Sequence, residues 1–291
     1  MVQALLAAVL LAAAPIQSPI AKSSTVQQSH RRTPYVGAIS VDAASGRVLF
    51  ADGADRECYP ASCTKLMTAR LLLKAVRQGK VKPTEAIVQS KLAASVEPSK
   101  LDLAPGESVS VADAMKALML KSANDIAIDI AERVGGSVEG FVAMMNAEAK
   151  ALGMKGTVFA SPNGLPPPRG SRRGFDRSTA RDLSILACAL IREQPEIVKF
   201  TCLASATVPG RRGVPVPMQN HNNFLWKKGV KMDGVDGLKT GYIDAGGSSI
   251  VLTGMRNGKR AIVVVVGSQT RNERELAAGR LLDDALDAIA W

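Results

Sequence analysis

Residues 248–267 read SSIVLTGMRNGKRAIVVVVG, and their reading decides the fold class. Two runs rich in β-branched residues, 248–255 and 260–267, flank Arg256-Asn257-Gly258-Lys259. Asn-Gly between such runs predicts a tight antiparallel hairpin, because both central residues of that turn need positive φ. At the other end of the chain, residues 35–50 (YVGAISVDAASGRVLF) predict two short strands around an Ala-Ser-Gly turn. The intervening sequence is helical in period. Leu66, Ala69, Leu72, Leu73 and Val76 predict a helix over 62–78 behind Pro60. Ser110 and Asp113 predict a capping box opening a helix over 110–121, broken at Ser122-Ala123-Asn124. Further helices are predicted over 125–134, stopped by Gly135-Gly136, and over 138–151, stopped near Gly153. Thr179 and Asp182 cap another to about Arg192, and residues 273–289 form the last. Strands at both ends with helices between them predict an α/β (α+β) fold. Its central antiparallel sheet is built from both chain ends and flanked by helices, with an inserted helical subdomain.

The composition narrows the chemistry. The chain has 291 residues and a formal net charge of +11, from 37 Lys+Arg against 26 Asp+Glu. Only two histidines are present, His30 and His221, and His30 lies in a polar N-terminal stretch. Multi-histidine zinc centres are therefore excluded, and a Ser-His-Asp triad would have to run through His221 alone. His221, within Asn220-His221-Asn222-Asn223, is expected to be a hydrogen-bonding loop residue. The four cysteines show no C-x-x-C spacing, which excludes a zinc ribbon; they are read as either paired or simply buried. Met115, Met119, Met144 and Met145 are expected in the helical core. No metal, no cofactor and no nucleic acid partner is expected.

The apolar run Leu5–Ala14 has the length of a signal-peptide core and is too short to span a bilayer. Residues 1–21 are read as an export signal, 22–33 as a linker and 34–291 as the folded domain. Export places the protein in the periplasm or the extracytoplasmic cell envelope. Membrane association is expected only through the N-terminal segment, if it stays uncleaved.

Three short motifs carry chemistry. In Ser62-Cys63-Thr64-Lys65, residues three apart share a helix face, so the Lys65 amine can reach the Ser62 hydroxyl. A serine needs a neighbouring base, and a lysine serves only when desolvation or nearby cations lower its pKa. Ser122-Ala123-Asn124 sits in a helix break, where Ser122 can pass a proton and the Asn124 amide can bind a substrate amide or fix a lysine. Lys239-Thr240-Gly241 offers a cation and a hydroxyl suited to a carboxylate, with a glycine that permits close approach. The intervals are 57 residues from Lys65 to Ser122 and 115 from Asn124 to Lys239.

In this order, Ser-x-x-Lys, Ser-x-Asn and Lys-Thr-Gly form the set of penicillin-recognising serine enzymes. The chain most closely resembles the low-molecular-mass penicillin-binding proteins, serine-type D-alanyl-D-alanine carboxypeptidases of peptidase family S11. Further matches are Ser45-Gly46-Arg47-Val48-Leu49-Phe50, Leu152-Gly153-Met154-Lys155, Ser161-Pro162-Asn163-Gly164-Leu165-Pro166 and Ser178-Thr179-Ala180-Arg181-Asp182. Val235-Asp236-Gly237-Leu238 ahead of the third motif, and Tyr242 after it, extend the likeness, which covers roughly residues 34–290.

The resemblance implies a β-lactamase/transpeptidase-like fold, and peptidoglycan stem peptides ending in D-Ala-D-Ala as substrate. It makes Ser62 the acylated nucleophile, Lys65 its general base and Ser122 the proton relay. Asn124 would position the substrate, Lys239 and Thr240 would bind its carboxylate beside Gly241, and the N–H groups of Ser62 and Tyr242 would form the oxyanion hole. β-Lactams would be covalent inhibitors. Two departures stand out: Ile243 where the family often has Thr, and Cys63 beside the nucleophile. Because the chain ends at Trp291, no C-terminal β-domain or amphipathic anchor is expected. The alternatives are a D,D-endopeptidase on crosslinks, a β-lactamase, or a basic cell-wall-binding protein without activity. Between Asn124 and Lys239 there is no E-x-x-L-N string, which counts against a class A β-lactamase. Arg169, Arg172, Arg173 and Arg177 crowd the 161–177 loop and are read as an attractant for anionic wall polymer.

Overall fold

A computed structural model describes residues 33–289. The strands are β1 (Gly37–Asp42), β2 (Val48–Asp52), β3 (Ala86–Val88), β4 (Ser108–Ser110), β5 (Ser205–Pro209), β6 (Pro215–Gln219), β7 (Val235–Ile243), β8 (Gly247–Arg256) and β9 (Lys259–Ser268). The helices are α1 (Lys65–Arg77), α2 (Lys91–Ala94), α3 (Val111–Lys116), α4 (Asn124–Gly135), α5 (Val138–Leu152), α6 (Ala180–Glu193), α7 (Val198–Thr201) and α8 (Arg271–Ala288). The export signal, the linker up to Arg32, and His30 lie outside the described residues.

Among the described residues, five strands form one antiparallel sheet in the order β2-β1-β9-β8-β7. The predicted hairpin is there: Arg256 pairs with Lys259 across Asn257 (φ 51°) and Gly258 (φ 75°). Its valine-rich strand is buried on both faces, as a central strand must be. Ile262, Val264 and Val266 join Val251, Leu238 and Ile39 against the helical layer. Ala261, Val263 and Val265 join Leu252 and Ala38 under Leu282 and Leu286 of α8. Strand β7, which carries Lys239-Thr240-Gly241, closes one edge of the sheet and so exposes a row of backbone groups.

Helix α1 runs through the middle of the molecule and packs on α4, α5 and α6. Its start differs from the predicted single helix: Ala61–Thr64 form a 3₁₀ turn and the α-helix begins at Lys65. Ala61 holds φ 50°, which a regular helix does not allow. The helix predicted over 110–121 ends instead in a π turn, Ala117–Lys121, closed by Ser122 at φ 60°. Its capping box is half made. Ser110 Oγ accepts from Asp113 N (3.1 Å), but the Asp113 carboxylate turns to the Ser110 hydroxyl and to Lys116, both at 2.8 Å. The reciprocal box is complete at Thr270 and Glu273, so α8 starts before Glu273.

Two other expectations need correction. All four cysteines are free, and Cys202 is exposed while Cys58, Cys63 and Cys188 are buried. Met115, Met119 and Met145 are core residues, but Met144 is 37% exposed, because it lies on the outer face of α5.

Candidate active site

Pro60 and the 3₁₀ turn bring Ser62 against the edge strand β7. A Cβ at Gly241 would lie 2.7 Å from the Pro60 carbonyl oxygen and 3.1 Å from Ser62 N, so only glycine allows this approach. Ser62 is half-buried and borders a cleft of about 380 Å³ that also receives Ser122, Asn124, Thr240, Gly241 and Tyr242. The three motifs, far apart in the chain, therefore meet at one place.

Lys65 is completely buried one turn below Ser62. Its Nζ lies 2.6 Å from the Asn163 carbonyl oxygen, 2.7 Å from Asn124 Oδ1 and 3.0 Å from Ser62 Oγ. Burial and then the positive charge of Lys239 drive its pKa well below the ordinary lysine value, against the opposing pull of Asp176, Cys63 and Asp125. A neutral amine has two N–H groups and one lone pair. The two carbonyl oxygens take the N–H groups, which leaves the lone pair for the Ser62 hydroxyl. This arrangement can accept a proton from Ser62.

Asn124 serves the lysine on one side and the cleft wall on the other. Its Nδ2 donates to the Pro98 carbonyl, and its backbone N–H donates to Ser99 O at 2.7 Å. Asp125 continues this tie by accepting from Leu101 N and Asp102 N (2.9 and 3.0 Å). Ser122 lines the cleft and is 5% exposed, yet its Oγ has no hydrogen-bond partner. Such a group carries a desolvation cost of about 1–3 kcal/mol that a bound polar ligand can relieve.

Lys239 is buried on β7 and its Nζ donates to Thr240 O at 3.1 Å. Burial, reinforced by Arg274 and opposed by Cys63, brings its pKa down to about 8. It keeps its charge at neutral pH more readily than Lys65, whose pKa is driven well below the ordinary lysine value. Tyr242 is 60% exposed, and its phenol donates to Asp244 Oδ1 at 2.7 Å.

Several residues at this place were not singled out as site residues from the sequence. The carbonyl of Asn163 anchors Lys65 but leaves no sequence signature of its own, since any residue has a carbonyl. Arg271 and Arg274 border the cleft from the first turn of α8, and Arg274 is 3% exposed and paired with Glu275 at 2.9 Å. His221 also borders the cleft. The loop's hydrogen bonds are made by Asn220, Asn222 and Asn223 rather than by its ring. Desolvation and the cations Lys239 and Arg271 hold its imidazole below the ordinary histidine value, so it is neutral at pH 7.

The loop arginines divide. Arg173 donates to the carbonyls of Ala160, Leu165 and Pro166, and Arg177 pairs with Glu57 at 3.4 Å. Arg169, Arg172 and Arg177 are exposed, and Arg173 is partly buried.

Residues 23–270 match the family profile described as D-alanyl-D-alanine carboxypeptidase, peptidase S11. The chain is 32% identical over 270 residues to D-alanyl-D-alanine carboxypeptidase DacF of Bacillus subtilis, covering 91% of this chain and 67% of that protein. It is 36% identical over 250 residues to DacC of Escherichia coli, covering 84% and 59% respectively. Penicillin-binding protein D2 of Listeria monocytogenes, solved in a cefotaxime-bound form, superposes with a TM-score of 0.74 at 30% identity, over 87% of this chain and 97% of that one.

Proposed function

The chain belongs to the D-alanyl-D-alanine carboxypeptidase family, peptidase S11, and from that membership we propose that it removes the terminal D-Ala from peptidoglycan stem pentapeptides. The observation that carries the reading is the Lys65 amine, completely buried and 3.0 Å from Ser62 Oγ, where burial and Lys239 drive its pKa well below the ordinary lysine value. Ser62 Oγ attacks the carbonyl carbon of the penultimate D-Ala while its proton passes to Lys65 Nζ. The N–H groups of Ser62 and Tyr242 receive the oxyanion, worth roughly 3–4 kcal/mol per donor in comparable sites. The amide C–N bond breaks, and the departing D-Ala nitrogen takes a proton through the unpartnered Ser122 hydroxyl. Water then hydrolyses the Ser62 ester. Lys239 and Thr240 hold the substrate carboxylate, and Asn124 positions substrate and lysine together.

A β-lactam acylates the same serine but retains its leaving nitrogen in the opened ring, so hydrolysis is slow. That the Listeria relative was solved in a cefotaxime-bound form supports β-lactam binding by this chain. The reaction takes place outside the cytoplasm, on the cell wall. A fusion of residues 1–33 to a reporter active only after export tests that location, and an inactive reporter would contradict it. No helix among the described residues is long and apolar enough to cross a membrane.

The activity is tested by D-Ala release from a synthetic stem pentapeptide. Release by the wild-type chain and none by Ser62→Ala is the expected result; equal release by both would overturn the assignment.

A further inference from the structure

Asp176 belongs to none of the three motifs, yet it is buried, 3% exposed. Its Oδ1 accepts from the backbone N–H groups of Ala160 (2.6 Å) and Ser161 (2.8 Å). Its Oδ2 accepts from Thr64 Oγ1 (3.0 Å) and Ser161 Oγ (2.8 Å). Ser161 Oγ in turn accepts from Gly164 N at 2.9 Å. These donors sit on the two segments that build the base. Thr64 directly precedes Lys65. Residues 160–164 present Asn163 O to Lys65 Nζ and, one position earlier, Pro162 O to Thr68 Oγ1 at 2.5 Å.

We propose that Asp176 is a positioning residue for the Lys65 base, tying the Asn163 carbonyl to the nucleophile turn and biasing the lysine's protonation through its buried negative charge. The inference rests on Lys65 being the base of the proposed reaction. Lys65 faces Lys239 from β7, Asp125 from α4, Cys63 from the preceding turn and Asp176 from the 161–177 loop. The Lys239 cation drives the proton off, and the two carboxylates hold it on. Asp176 in turn faces Lys65 from α1 and Arg173 from its own loop, and none of the described ion pairs includes it. Burial pushes its carboxyl above the ordinary aspartate value while the donors on Ala160, Ser161 and Thr64 pull it back, and in its charged form it acts on Lys65.

Asp176→Asn separates charge from shape. The amide oxygen keeps both backbone N–H groups, and the amide nitrogen can donate to the two hydroxyls, which have free lone pairs. The test measures the acylation rate by a fluorescent penicillin against pH for the full chain, Asp176→Asn and Asp176→Ala, with the melting temperature of each. For Asp176→Asn the acid limb is expected to move down by about one pH unit, the scale of a lost neighbouring charge. For Asp176→Ala, which strands four donors, the limiting rate is expected to fall about tenfold or more as the Asn163 carbonyl drifts. A labelled wild type with an unshifted limb in the folded Asn variant would overturn this inference alone. An unlabelled wild type would overturn the proposed function and this inference with it. A loss of stability in the Ala variant with no change in limb or limiting rate in either variant would assign Asp176 to structure only.

Discussion

Gly164 and Ala61 meet backbone to backbone: a Cβ at position 164 would stand 1.9 Å from the Ala61 carbonyl oxygen, and Gly164 holds φ 80°. The contact joins the loop that anchors the lysine to the turn that carries the nucleophile. Gly164→Ala meets both a forbidden approach and left-handed strain, costing about 1–3 kcal/mol or more. A lowered melting temperature and an acylation rate down by about tenfold or more are expected, since Ser62 must shift. Wild-type values in both measurements would contradict the contact's role.

The two lysines predict a bell-shaped dependence of acylation on pH. Lys65 acts as base only when neutral, so activity falls as pH drops through its strongly lowered pKa. Lys239 binds a carboxylate only when charged, so activity falls as pH rises through about 8. The reaction assayed against pH with a neutral ester substrate lacking the carboxylate is expected to lose the alkaline limb and keep the acid one. An alkaline limb that persists with that ester would remove Lys239 from carboxylate binding.

Arg70 is 2% exposed on α1 and pairs with Glu148 of α5 at 2.8 Å and Glu193 of α6 at 2.6 Å, while Lys74 also reaches Glu148. Burial raises the Glu148 carboxyl, but Lys74 and Arg70 outweigh it and hold it below the ordinary value. The pair therefore stabilises the fold above the ordinary glutamate range, and that contribution is lost as pH falls through the lowered value. Glu148→Ala leaves a buried guanidinium short of partners, and a loss of about 3 kcal/mol is expected in denaturant unfolding at pH 7. The deficit relative to wild type should shrink below about pH 4. A pH-independent difference would contradict the ionic origin.

The thiols give a simple count. Burial pushes Cys58 up to about 12 and Cys63 and Cys188 to about 11, whereas Cys202 is exposed. A thiol reagent at pH 8 is expected to titrate one of the four cysteines in the native chain and all four after unfolding. Two or more fast thiols in the native chain would contradict the burial of Cys58, Cys63 and Cys188 together.

What the sequence could disclose follows from the range over which each feature is encoded. The Arg256–Lys259 turn and the valine run are local, so the central hairpin was legible, and with it the antiparallel sheet. Ser62 and Lys65 were legible because three residues of helix set their separation. The partners of that lysine were less so. Asn163 contributes a carbonyl, which has no residue-specific signature. Asp176 meets Thr64 across 112 residues of chain, beyond any periodicity. The small pairs β3–β4 and β5–β6 escaped for a different reason: the first is three residues long on each side, and the second carries Pro209, Pro215 and Pro217, which mask a strand pattern. The π turn before Ser122 was illegible as well, because α and π turns share the same apolar residues.

The central claim is that Ser62, with Lys65 as its base, becomes covalently acylated. Intact mass measurement and peptide mapping after exposure to a penicillin test it most directly. One adduct is predicted, on the peptide containing Ser62; it should be absent in Ser62→Ala and form about 10²-fold or more slowly in Lys65→Ala. An adduct on any other residue, or undiminished acylation of Ser62→Ala, would contradict the account.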